Sequence, residues 1–296
     1  MLPKHTPFAD PSVSFSIGLR PLDLVNWIEV DEYLLRYLEE KLRLMSEIPG
    51  KVFVSEAGSE AAQQEVLDLL VPHLTETFPE IYSRFSNSIQ LEGLDRRVDL
   101  DDPQLMPLLK AAYLVQEDLV LMRKGESGWR LSAGSVCFPS SWVLLEKFGK
   151  AMHKIHAPVP GFAKGTRNAM MIERVFDNLL VEQPVERFNW SVYSDDVLYH
   201  DDRFGEHFPA DEGEESTPYF LRIEHQTLRK LPISGDILFT IRIHIDPIEM
   251  LLKRSDRDEI IPGFIKTIRA MNNDEMEYKG FDQGMEQLIK RLESML

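Results

Sequence analysis

Two apolar-alternating runs, Tyr219 to Leu231 and Ile237 to Asp246, are joined by a short Pro-Ile-Ser-Gly turn. In the second run Ile237, Phe239, Ile241, Ile243 and Ile245 alternate with Leu238, Thr240, Arg242, His244 and Asp246. A strand turns successive side chains to opposite faces, so this pattern puts one face on a core and leaves the other more polar. Strands joined by so short a turn pair antiparallel, which commits this part of the chain to an antiparallel sheet.

A second hairpin is signalled upstream, with a strand at Val115 to Met122, a turn over Lys124 to Gly128, and a partner strand at Trp129 to Phe138. Pro139 closes that partner, because proline offers no N–H to a ladder. Ser140 or Ser141 then suits a helix N-cap, and Trp142, Leu145, Phe148 and Met152 recur at helical spacing. At the end of this helix stands His-Ala-Pro-Val-Pro-Gly, where two prolines restrict the chain and aim His156. A further helix is expected over Thr166 to Leu180, and a strand at Phe188 to Tyr193.

The middle of the chain therefore reads as two strands, a helical crossover and three strands. That order predicts an α+β fold with a PAS-like five-stranded antiparallel sheet, whose ligands lie between sheet and crossover. The chain is read as a single domain over 1–296: an N-terminal arm and helices (1–104), the PAS-like core (105–246) and C-terminal helices (247–296). In the N-terminal part, helices are expected from Asp31 to the Pro49-Gly50 stop and from Ser59 to about Leu74. Pro79 to Phe85 reads as a turn or short helix, 86–103 as a solvated polar segment, and the acidic stretch 200–216 as a mobile loop.

Composition removes several classes of function. A net charge of -16 with no Lys/Arg cluster argues against nucleic acid, which is bound by neutralising phosphates. One cysteine rules out an internal disulfide framework and a Cys-rich metal centre, and suits the cytoplasm. No apolar run approaches the ~18 residues of a membrane span, and MLPKHTPFADP has no apolar signal core. Cys137, on the apolar side of its strand, reads as core. There is no Gly-x-Gly-x-x-Gly, P-loop or cysteine quartet to carry a nucleotide, flavin or iron–sulfur electron source.

Five segments together resemble the heme-dependent oxidative N-demethylase family, in order and over nearly the whole chain: LRPLDLVNWIEVDEYLLRYLEEKLRLM, QEDLVLM, AGSVCFPSSWVLLEKFGKAMHKIHAPVPGF, RFNWSVY and RIEHQTLRKLPISGDILFTIRIHIDP. The resemblance implies a PAS-like fold turned to enzymology. Heme b is held by an axial histidine, O2 is activated, and a small secondary amine such as dimethylamine loses a methyl group as formaldehyde. Because the chain carries no electron source of its own, it implies a separate flavin or iron–sulfur reductase. Within this reading His156 is the first metal ligand, His153 the second candidate one helical turn earlier, and His225 the third, by its strand parity with Leu221 and Ile223. Arg222, Arg229 and Lys147 are candidate partners for the heme propionates. Glu117, Asp118 and Glu224 are the candidate carboxylates for a protonated amine, with Trp190 or Tyr193 as wall. The rival reading is a PAS-type sensor that binds heme or a small amine without turnover.

Overall fold

A computed structural model describes residues 2–11, 16–201, 218–281 and 284–296, so nearly all of the 200–216 segment lies outside the described residues. The strands are β1 (Arg20–Pro21), β2 (Phe53–Ser55), β3 (Tyr82–Phe85), β4 (Ser88–Leu91), β5 (Arg96–Asp99), β6 (Asp118–Gly125), β7 (Gly128–Ser135), β8 (Val185–Tyr193), β9 (Phe220–Lys230) and β10 (Ile237–Pro247). The helices are α1 (Leu34–Glu47), α2 (Pro49–Val52), α3 (Glu60–Thr77), α4 (Pro107–Ala112), α5 (Leu144–Lys147), α6 (Met152–Ile155), α7 (Arg167–Asn178), α8 (Arg257–Ala270), α9 (Asn273–Lys279) and α10 (Met285–Glu293).

A mixed α+β fold results, in which one antiparallel sheet of seven strands runs β1-β8-β9-β10-β6-β7-β2. The sheet is wider than the expected five strands. Its extra edge strands, β1 and β2, come from the N-terminal region and are two and three residues long, too short to show a period-two pattern. The β9–β10 hairpin is paired along its whole length, from Ile237 opposite Lys230 to Pro247 opposite Phe220. The β6–β7 hairpin closes with Gly125 opposite Gly128.

Both faces of the sheet are covered. On one, Val120, Met122, Leu131 and Leu228 pack with Met152 and Phe176 of the crossover. On the other, Leu119, Leu121 and Leu238 join the cluster of α3 and α4, while Trp190, Leu221 and Ile223 join that of α8 and α10. The expected polar face of β10 is therefore not a solvated one: Leu238, Thr240 and Arg242 are all buried. Thr240 shares a 2.6 Å hydrogen bond with Thr227, and Arg242 reaches Asp31 at 2.5 Å, so its polar groups are satisfied inside the protein.

Three local expectations are corrected. The central amphipathic helix is broken into the single turns α5 and α6, because Gly149 takes a left-handed φ of 69° and Phe148 and Ala151 bridge to Leu131 and Arg130 of β7. Ser141 is not an N-cap either; its φ is 60° and its hydroxyl bonds Tyr193. The segment read as a turn and solvated loop is instead the three-stranded sheet β3-β4-β5, which buries Tyr82, Ile89, Leu91 and Val98 under α3. Its strands are four residues each, below the length at which alternation stands out from a polar background.

The N-terminal arm is locked to α8 at a glycine. A Cβ on Gly263 would collide with the carbonyl oxygen of Ala9, whose neighbour Phe8 is buried against Phe264 and Trp190. Alanine is the better helix former by about 1 kcal/mol, yet overpacking costs about 1–3 kcal/mol. Gly263→Ala is expected to lower the urea midpoint, with the N-terminal arm losing protection in hydrogen exchange before the rest of the chain.

Candidate functional site

Between the crossover and the sheet lies a cavity of about 580 Å³, within the range of cofactor and ligand sites. Its sheet wall includes Val120, Met122, Leu228 and Phe239, and its crossover wall includes Ile155, Phe162 and Phe176. The charged and titratable residues of its lining include Glu146, Lys147, His156, Arg187, Glu224 and Lys279.

His156 follows the last residue of α6. Its backbone N–H donates to the Met152 carbonyl at 3.0 Å, and its Nδ1 lies 3.1 Å from the same oxygen. A carbonyl can only accept, so Nδ1 carries the proton and Nε2 presents a lone pair. Among the described residues Nε2 has no hydrogen-bond partner. Burial, helped by the charges of Arg187 and Lys147, lowers the imidazole pKa to about 4, so the ring is neutral over the physiological range. His153, on the same turn, is half-buried and is not among the residues lining the cavity.

Three cations face the cavity. Arg187 of β8 is half-buried, its Nη2 making one 3.4 Å contact to the Ser16 carbonyl and its buried Nε without a partner among the described residues. Burial pulls its pKa down. Lys147 closes α5 and donates to the Ile155 carbonyl at 2.8 Å. Lys279, at the end of α9, donates to Asn189 Oδ1 at 3.0 Å and to the Trp190 carbonyl, and burial lowers its pKa to about 7. The sequence reading missed Arg187 and Lys279. Arg187 lies one residue before the strand read at Phe188 to Tyr193 and shares parity with Asn189 and Ser191, so extending that strand would have found it; Lys279 carries no local signal.

Glu224 is the one candidate carboxylate on the cavity wall. It sits opposite Asn189 across β8–β9, and its Oε2 accepts from Gln226 at 2.5 Å and Asn189 at 3.3 Å. Its Oε1 takes no hydrogen bond among the described residues.

The other candidates lie elsewhere. Asp118 is buried at the start of β6, where it accepts from the backbone of Cys137 at 2.8 Å and Phe138 at 2.9 Å. Burial raises its pKa to about 6. Glu117 accepts from the Glu29 backbone at 2.9 Å on the far side, its pKa also raised by burial. Arg222 has the parity of Glu224, but its guanidinium is consumed by Ser140 Oγ and the carbonyls of Phe138, Pro139, Val197 and Leu198. Arg229 stacks 4.3 Å over Trp27, away from the cavity. His225 does share a face with Leu221 and Ile223, yet that face is opposite the cavity and the ring stacks on Phe188 at 4.7 Å. Parity relates residues to one another; it does not say which side the crossover will cover.

Arg187 and Arg222 should respond oppositely to the same change. Arg187→Met removes a buried N–H without a partner among the described residues, and such a group costs about 1–3 kcal/mol. The ligand-free protein should therefore show a higher urea midpoint. Arg222→Met leaves several buried carbonyls unpaired at about 1–3 kcal/mol each, so its midpoint should fall. A fall in both would make Arg187 a structural residue.

One comparison with known proteins identifies the chain. The family model described as haem-dependent oxidative N-demethylase, alpha subunit-like, matches residues 18–289. The match covers most of the sequence, and the chain belongs to that family.

Proposed function

We propose that this family member holds heme b in the cavity between crossover and sheet, and uses it for oxidative N-demethylation of a small secondary amine such as dimethylamine. The observation that carries the reading is His156: a neutral imidazole, fixed through Nδ1–H to the Met152 carbonyl, with Nε2 unpartnered at the cavity wall. The strand run β8-β9-β10-β6-β7, with the crossover helices on one face, supports a PAS-like core widened by β1 and β2.

The residues present fit such a group. The walls are apolar where a macrocycle would lie, Nε2 of His156 would ligate the iron, and Arg187 with Lys147 would offer positive charge to the carboxylates of the group. Bound there, heme supplies dioxygen activation. The chain's own groups do the rest. Glu224, with Oε1 open, holds a protonated amine by charge and can take its proton as the nitrogen becomes neutral. Asn189 and Gln226 fix that carboxylate, and the apolar walls exclude water from the reacting centre. Overall, dimethylamine, O2, two electrons and two protons give methylamine, formaldehyde and water. The electrons come from a separate flavin or iron–sulfur reductase, and the protein acts in the cytoplasm without engaging membrane or nucleic acid. Among the described residues no helix is long and apolar enough to cross a membrane.

Heme titration with absorption spectroscopy tests the assignment. The wild type should bind one heme with a saturable Soret band, His153→Ala should do the same, and His156→Ala should lose or shift the band; an unchanged band in His156→Ala would overturn the ligand. Formaldehyde release from dimethylamine with O2 and a reductant then separates turnover from sensing, and Glu224→Gln should cut it at least about tenfold. Heme binding without turnover would favour the sensor reading.

The pH dependence follows from the same histidine. Its pKa is near 6.5 when the chain is unfolded and about 4 when folded, so between these values the unfolded chain holds the extra proton. The contribution of His156 to heme-free stability should rise from pH 4 to 6.5 and be lost as pH falls through that window, read as the difference in urea midpoint between wild type and His156→Ala. Heme ligation should be flat above about pH 5 and weaken near pH 4.

A further inference from the structure

On the sheet face opposite the cavity, imidazoles and carboxylates from distant parts of the chain converge. His5 of the N-terminal arm, Glu29 and His225 of β9 each place a ligand atom within 4.8 Å of the others'. His5 Nε2 lies 3.0 Å from Glu29 Oε1, and His225 Nδ1 lies 3.6 Å from Glu29 Oε2. His244 of β10 adds a 2.6 Å contact from Nε2 to Glu29 Oε2.

The orientation of His225 is the informative detail. Its Nε2 is 2.6 Å from Glu186 Oε2, so that nitrogen donates, and Nδ1 is turned toward Glu29 with no hydrogen-bond partner. His225 is 1% exposed, and a buried polar atom left unpaired is costly. A carboxylate that fixes a histidine through one nitrogen while the other faces a ligand cluster is the outer arrangement of metal-bound histidines. Phe188 stacked on the ring at 10° and Arg20 on the other Glu186 oxygen at 2.8 Å hold that pair in place.

We propose that His5, Glu29 and His225 form a binding site for a divalent transition-metal cation of the zinc type, with Glu186 and His244 orienting the ligands. Two imidazoles and one carboxylate suit zinc or ferrous iron, whereas calcium and magnesium prefer all-oxygen sets. The side of entry is the arm: His5 is 18% exposed, and the Lys4 ammonium, 2.6 Å from Glu29 Oε1, is 54% exposed and can swing into solvent. The competing arrangement is an imidazolium at His225 bridging Glu29 and Glu186. Burial opposes that charge and the two carboxylates favour it.

Zinc titration of the tag-free full chain, stripped with chelator and followed by calorimetry at pH 7.5, decides between them. The site predicts one Zn2+ per chain, with affinity lowered at least about tenfold in His5→Gln and Glu29→Gln and about 10–100-fold in Glu186→Gln. Co2+ in place of zinc should give visible absorption that His5→Gln abolishes. His5 is partly exposed, so His5→Gln keeps the fold and remains decisive if Glu29→Gln does not fold. No stoichiometric zinc binding by the wild type, or equal binding by wild type and His5→Gln, would overturn the site.

Discussion

The full-length antiparallel pairing of β9 with β10 is the constraint on which the rest depends. Its register makes Glu224, Gln226 and Leu228 neighbours on one face and His225 and Thr227 neighbours on the other. Because the side-chain period is two, a slip by one residue would exchange the two sets. The cavity wall and the histidine cluster would then swap sides, and neither would meet its partners. The Thr227–Thr240 pair and Arg242, held by Asp31, sit on the buried polar side and favour this one register over its neighbours.

Two kinds of buried charge divide the molecule. Lys41 donates to the carbonyls of Ala112, Val115 and Glu117, and Arg222 to four carbonyls, so these cations tie loops to the sheet and have little capacity left. Arg187 is different. It is half-buried rather than fully buried, makes a single long contact and leaves a buried Nε without a partner among the described residues. A buried guanidinium N–H without a partner costs stability, and an anionic ligand in the cavity would relieve that cost.

His156 shows how a short element can still aim a side chain. A single helical turn has little stability by itself, but bridges from Phe148 and Ala151 to β7 before it, and the Val159 N–H to His156 carbonyl bond after it, hold the turn from both ends. Pro158 and Pro160 narrow the backbone further. The imidazole is thus placed by the sheet it faces more than by the helix it ends.

The sequence by itself determined the periodic parts: the β9–β10 and β6–β7 hairpins, α3, α7 and the C-terminal helices, and the α+β class with a crossover, because each carries enough repeats for its period to show. It also placed His156 on a stiff segment and offered Glu224 among three candidate carboxylates, without saying which strand face it occupies. Only the tertiary structure decided which face the crossover covers, so His225 and Arg229 turned away from the cavity while Arg187 and Lys279 turned toward it. The physical reason is that a strand's alternation is symmetric between its two sides. Which side becomes the cavity is settled by what packs there: α6 and α7 on one face, and the helices flanking the core in sequence on the other. Those contacts join residues far apart in the chain, and no local pattern records them.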